Sequence, residues 1–257
     1  MKTVTHLYRH PVKGLSPEAL SVATLRPGQG LVGDRRFAIA HGSTPIDAGV
    51  PEWLAKKNFL MLAKNPRLAA LTTRWDEATT TLTIERDGRK VASANIGSPI
   101  GRTRLSDFLA AYLKDEVRGT PKVIDGGDSV VFSDHDEPVV ALLNSASLAD
   151  LERVAGRPLD MRRFRGNIII NGPAAWDEFN WIGRDISIGS TRLWVKEKIG
   201  RCSATSVDLD SGAVDINVPL TLKKGFGHSC FGVYARVLEG GDIRLGDPVE
   251  VHGSVER

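Results

Sequence analysis

Short apolar and β-branched runs, each closed by glycine or proline, recur along the whole chain. With 26 Gly and 13 Pro among 257 residues, they leave little room for long helices. Such runs suit strands, because branched side chains pack well on a pleated surface while Gly and Pro punctuate the turns. Residues 4–9, 19–25 and 36–40 read as strands, and 67–75, 80–86 and 90–95 as a meander. Asp87-Gly88 supplies the second turn of that meander, since a two-residue hairpin loop needs positive φ. Residues 100–113 place Leu105, Phe108, Leu109 and Tyr112 on one stripe, at helical spacing.

The Gly-, Asp- and Pro-rich stretch 117–138 holds the expected boundary between two modules, 1–121 and 122–257. Beyond it, 139–143 reads as a buried strand and 147–154 as a helix capped by Ser147. Strand character returns at 164–170, 186–196, 203–207, 231–238 and 243–251, with Glu239-Gly240-Gly241-Asp242 expected to turn a hairpin between the last two. The expected fold is mainly β with a few helices (α+β), its first module a small barrel or curled sheet. The regular strand–helix alternation of a Rossmann fold is absent.

Charge narrows the function classes. With 34 basic and 31 acidic side chains spread along the chain, the net charge of +3 is too balanced for nucleic acid or an anionic membrane as a general partner. The N-terminus does not read as a signal peptide, and no run of 18 apolar residues predicts a membrane span. The two cysteines, Cys202 and Cys230, form no Cys-x-x-Cys pair, which excludes a zinc ribbon or an iron–sulfur site. A cytoplasmic location with reduced thiols is expected.

Cys202 is the leading chemical candidate. It follows a strand that Gly200 interrupts, and Lys196, Lys198 and Arg201 nearby favour a thiolate, the nucleophilic and metal-binding form. A free cysteine is also commonly a small buried hydrophobe, and local sequence leaves both readings open. Basic residues sit beside glycines in three places: Lys13-Gly14; Arg35 and Arg36 after Gly33-Asp34; and Arg162, Arg163 and Arg165 before Gly166-Asn167. Such clusters either bind anions or are solvated surface charge. Other constellations are weaker. Asp134-His135-Asp136 lies in a polar loop, a Cys202–His228 pair has no third member, and Trp176 and Trp181 suit core packing as well as a pocket. There is no Gly-x-Ser-x-Gly elbow and no Walker A loop.

Taken together, the segments are familiar. Tyr8-Arg9-His10-Pro11-Val12-Lys13-Gly14 followed by Gly30-Leu31-Val32-Gly33-Asp34-Arg35-Arg36-Phe37 resembles the N-terminal β-barrel module of the MOSC family. MOSC is named for the C-terminal domain of molybdenum cofactor sulfurase. The second half resembles the MOSC domain itself in residues 142–151, 161–167, Gly200-Arg201-Cys202 with Thr205, and Phe231-Gly232-Val233-Tyr234 leading to Gly246-Asp247-Pro248-Val249.

The chain is similar to the mitochondrial amidoxime-reducing components and their bacterial counterparts. The resemblance implies a molybdenum cofactor (Mo-molybdopterin) with Cys202 as thiolate ligand to the metal. Lys13, Arg35 and Arg165 would hold its phosphate and pterin, with Gly14, Ser145, Ser147, Asn167, Gly200, Arg201 and Tyr234 nearby. It implies an oxidoreductase, independent of pyridoxal phosphate, that reduces small N-hydroxylated substrates. With no ferredoxin domain or membrane anchor read in the chain, electrons would come from a separate ferredoxin, flavodoxin or cytochrome b5-like protein with its reductase.

Gly14, Gly166 and Gly200 depart from the family pattern of Ser, Pro and Ser or Cys, and are expected to loosen the cofactor loops. The alternative is a sulfur-carrier module in which Cys202 holds a persulfide for metal–sulfur cofactor assembly.

Overall fold

A computed structural model of the chain describes residues 1–47 and 50–254. Residues 255–257 of the expected second module lie outside them. The first half contributes β1 (Thr3–Arg9), β2 (Glu18–Leu20), β3 (Val22–Arg26), β4 (Gly30–Leu31), β5 (Phe37–Ala40), β6 (Thr72–Asp76), β7 (Thr81–Arg86), β8 (Arg89–Asn95), helix α1 (Pro99–Leu113) and β9 (Lys122–Asp125). The second contributes β10 (Val140–Asn144), α2 (Ser145–Ala155), β11 (Ile168–Asn171), β12 (Arg184–Ile188), β13 (Thr191–Gly200), α3 (Val218–Phe226), β14 (Cys230–Glu239), β15 (Gly241–Arg244) and β16 (Val249–Ser254). The chain is mainly β with three α-helices among the described residues, as the turn-punctuated pattern predicts.

An eight-stranded sheet in the order β16-β12-β13-β14-β10-β11-β1-β2 forms the centre. β10 runs parallel to β11, with α2 in the crossover, and both faces of β10 are covered. Leu142 packs into the core enclosed by the sheet, while Leu143 packs under α2 and α3. Burial on both faces is why 139–143 reads as an unbroken apolar run. The start of the chain is sewn into the second half: β1 pairs with β11 and β2 in this sheet, and β3 pairs with β15 in a separate three-stranded sheet. A second core lies under α1 and the β6–β7–β8 meander, where Leu105 and Leu109 meet Phe37, Leu82 and Ile84. Asp87 and Gly88 turn that meander at φ 53° and 70°, as a hairpin of this length requires.

Several segments differ from the sequence expectation. Pro66–Ala70 is a 3-10 turn that delays the strand to Thr72. Helix α2 begins at Ser145, and Asn144 caps it by accepting from the Ala146 N–H, so Ser147 lies inside the helix. The 203–207 segment is a 3-10 turn because the Cys202 carbonyl accepts from both the Thr205 N–H (3.1 Å) and its hydroxyl (2.9 Å). Residues 239–242 turn a corner between sheets, β14 staying in the large sheet while β15 pairs with β3. Helix α3 is an addition. Asn217 caps it, Pro219 occupies its first turn and Gly227 closes it in the left-handed region. No described helix is long and apolar enough to cross a membrane.

Candidate functional site

Strand pairing between the two ends of the chain brings the Lys13, Arg35 and Arg165 motifs against the loop after β13. They enclose a cleft of about 900 Å³, its mouth included. Nine of the eleven residues proposed from sequence line it: Lys13, Gly14, Arg35, Arg165, Asn167, Gly200, Arg201, Cys202 and Tyr234. Cys202 is a free, half-buried thiol whose backbone, not its side chain, starts the 3-10 turn.

The arginines are fixed by unusual means. Arg35 and Arg165 both adopt left-handed backbone, φ 50° and 51°, which is uncommon for residues with a Cβ. The Arg35 guanidinium pairs with Asp34 and donates to the Arg165 carbonyl at 3.0 Å, tying together motifs from opposite halves. Arg165 donates from Nη1 to the Leu15 carbonyl at 2.8 Å, and its buried Nη2 has no partner. Arg201 lies beside the stacked rings of Phe164 and Phe231 and donates to the carbonyls of both residues. Among the described residues, Arg165 and Arg201 hydrogen-bond only to carbonyl oxygens. Burial without a bonded carboxylate pushes both guanidinium groups down to about 10.

Lys13 is nearly buried and donates to the Phe132 carbonyl (3.0 Å) and Asp134 (2.6 Å). Burial lowers its pKa although Asp134 opposes the shift. Tyr234 lines the wall as a neutral phenol, burial raising its pKa against the pull of Arg201 and Arg35.

Ser145 and Ser147 do not join this group. Ser145 opens α2 outside the cleft lining. Ser147 is fully buried, donates to Glu178 and accepts from the Trp176 N–H at 2.8 Å. Asn167 touches the cleft, but its amide is occupied: Oδ1 accepts from Ala141 N and Nδ2 donates to Tyr8 O.

Lys196 and Lys198, read as neighbours of the thiol, are engaged elsewhere on β13. Lys196 pairs with Glu137, and Lys198 lies over the Phe179 ring at 4.5 Å. His228 packs among Trp176, Phe179 and Phe226 outside the cleft lining, and Trp181 belongs to the core enclosed by the large sheet. Cys230 sits opposite Gly200 across β13 and β14.

Arg163 is buried and held by Asp208 and Asp215, bracing the segment before Arg165. Sequence reasoning missed Lys56 and the 61–63 segment of the lining, which carry no motif, and the counter-ion role of Asp34, for which adjacency to Arg35 was a signal.

The three departing glycines separate on geometry. At Gly14, φ is 85° and a built Cβ would sit 2.9 Å from the Leu60 carbonyl oxygen. At Gly166 it would lie 2.4 Å from Leu143 Cδ1, whereas Gly200 has nothing within 4 Å. Gly14 and Gly166 are therefore sites of close approach, not loosened loops. Gly14→Ser is expected to cost about 1–3 kcal/mol of stability, and Gly200→Ser to change it by no more than about 0.5 kcal/mol. Denaturant melts of the two variants beside wild type check this; equal losses would refute the assignment.

The cleft fits an anionic, metal-bearing cofactor on two observations. The unpartnered Nη2 of Arg165 is a buried donor awaiting an acceptor. Among the described residues no group of three or more His, Cys, Asp or Glu could hold a metal alone, so a metal at Cys202 must arrive with most of its own ligands.

Comparison with known proteins assigns the family. The MOSC domain family profile matches residues 122–250, and the MOSC N-terminal beta barrel domain matches residues 1–118. Mitochondrial amidoxime reducing component 2 of Bos taurus is 31% identical over 122 residues, 43% of this chain and 36% of that protein. Mitochondrial amidoxime-reducing component 1 of Homo sapiens is 33% identical over 138 residues, 49% of this chain and 40% of that protein. The matched stretch thus spans well under half the length of these relatives.

Among solved structures, the YUAD protein from Bacillus subtilis overlaps 100% of this chain and 98% of its own at 12% identity and a TM-score of 0.47. YiiM from Geobacillus stearothermophilus overlaps 44% and 54% at 22% identity and 0.36. Neither overlap is close enough to add to the fold assignment. With one profile covering each half, the chain belongs to the MOSC domain family and carries that family's N-terminal beta barrel domain.

Proposed function

We propose that the cleft binds a molybdenum–molybdopterin cofactor and that the protein is a reductase of small N-hydroxylated compounds, such as amidoximes. The observation carrying this reading is the convergence of the Cys202 thiol with two half-buried guanidinium groups, Arg165 and Arg201, that have no bonded carboxylate. When bound, the cofactor would supply two-electron oxygen-removal chemistry at its metal.

The chain's own residues bind and orient it. Cys202 offers a soft thiolate donor. Lys13, Arg35 and Arg165 offer charge-assisted hydrogen bonds to phosphate. Arg201, held by two backbone carbonyls, places a fixed positive charge beside the thiol. Electrons would come from a separate ferredoxin, flavodoxin or cytochrome b5-like donor.

Metal analysis and pterin fluorescence on protein from a host that makes the cofactor test this reading. Near-stoichiometric molybdenum and pterin are expected in wild type. Arg165→Met is expected to lose most of both while melting at or above the wild-type temperature, because a half-buried charge without a bonded carboxylate costs stability in the empty protein. Unchanged occupancy in that variant would count against the role of Arg165. Wild type with neither metal nor pterin, but a persulfide on Cys202, would favour the sulfur-carrier reading, although such a carrier has no need of Lys13 and Arg35.

A further inference from the structure

The charges around the cleft do not balance. Lys13, Arg35, Lys56, Arg163, Arg165 and Arg201 line it, and Asp134 is the single carboxylate among the described lining residues. Arg35 and Arg163 have other partners, Asp34 for the first and Asp208 with Asp215 for the second. Asp134 belongs to the cleft itself. From the segment between β9 and β10 it holds Lys13 Nζ at 2.6 Å and stands 3.6 Å from Lys56 Nζ. The Lys13 side chain is 8% exposed and that of Asp134 is 45% exposed. A buried ammonium needs a counter-charge, whereas a half-exposed carboxylate is readily hydrated. Lys13 therefore depends on Asp134 more than Asp134 depends on Lys13.

We propose that Asp134 is a resident counter-anion, displaced from Lys13 and Lys56 when a phosphate-bearing ligand enters the cleft. The proposal rests on the anion-binding reading of the cleft and not on the identity of the metal. An entering phosphate oxygen replaces the carboxylate beside both lysines while other oxygens reach Arg165, and Asp134 turns to water. A small monovalent anion gains too few contacts to pull Lys13 from its partner. A phosphate dianion gains enough, so Asp134 sets a threshold of charge and contact for occupancy.

The probe is inorganic phosphate at pH 8, titrated by calorimetry into cofactor-free protein at constant ionic strength. Asp134→Asn is expected to bind phosphate about tenfold more tightly than wild type. Without phosphate it should melt below wild type, and phosphate should raise its melting temperature more. Asp134→Glu should bind as wild type does. A residue that merely supported the loop would lose stability and affinity together.

A second measurement needs no variant. Hydrogen exchange on wild type should show residues 132–136 exchanging faster with phosphate present, and the segments around Lys13 and Arg165 exchanging more slowly. Slower exchange at 132–136, or equal or weaker binding by Asp134→Asn, overturns the proposal alone. Absence of phosphate binding in both wild type and Asp134→Asn overturns it together with the anionic reading of the cleft.

Discussion

Replacing Cys202 with serine is expected to lower the proposed N-hydroxy reduction by at least about a thousandfold while leaving the melting temperature unchanged to within about two degrees. The fold uses the backbone of this residue and not its sulfur. Its carbonyl receives two hydrogen bonds from Thr205, and its side chain caps nothing. Serine keeps that backbone and is only slightly smaller. Its hydroxyl, however, is a hard donor that stays protonated at neutral pH, so the soft anionic ligand is lost. Reduction of an N-hydroxylated amidine with a chemical or protein electron donor, alongside metal content and a thermal melt, reads all three. A fully active serine variant would end the proposed chemistry; a variant that unfolds would show that the sulfur has a packing role.

The second large effect concerns acid. His10 is buried, neither ring nitrogen has a hydrogen-bond partner, and Nδ1 stands 3.5 Å from Asp34. Burial, reinforced by Arg165 and Arg35, pushes its pKa down to about 3 against the pull of Asp34. Burial would raise Asp34, yet Arg35 and the His10 backbone N–H, which donates to it at 2.7 Å, hold it well below the usual carboxylate range. Both shifts have the same sign for stability.

Between pH 6.5 and about 3 the unfolded chain carries a proton on His10 that the folded chain does not. Stability is therefore present above pH 6.5 and lost as pH falls toward 3. Asp34 adds to the loss once pH drops below its unfolded value of 3.8. A shift of that size on His10 amounts to roughly 4–5 kcal/mol at its limit. The denaturation midpoint of wild type is expected to fall steeply from pH 7 to pH 4, and that of His10→Met far less. Parallel curves for the two proteins would remove His10 from this role. Glu178 works in the opposite direction: burial raises its pKa, so its contribution is lost as pH rises above 4.5.

What was legible in the sequence was local. The meander and its Asp87-Gly88 turn, the apolar stripe of α1 and the buried run of β10 all follow from period and turn chemistry within a few residues. The thiol and the basic clusters were each visible for the same reason. Helix α3 was missed, because its apolar face is short, although Asn217, Pro219 and Gly227 mark its ends. Other segments misled because a tertiary contact outweighed local preference. Ser147 carries a good capping side chain, yet the buried Glu178 carboxylate claims its hydroxyl, leaving Asn144 to cap α2.

The candidate site is a product of sheet order. Pairing of β1 with β11 and of β3 with β15 sets Lys13 and Arg35 beside residues more than a hundred positions later. That adjacency leaves Arg165 and Arg201 half-buried without a bonded carboxylate, and makes Asp134 the counter-ion of Lys13. Residue type and spacing determine which side chains can carry charge or donate electrons. Only long-range strand pairing decides which of them share one low-dielectric space, because that pairing minimises exposed apolar surface over the whole chain and not over any one segment.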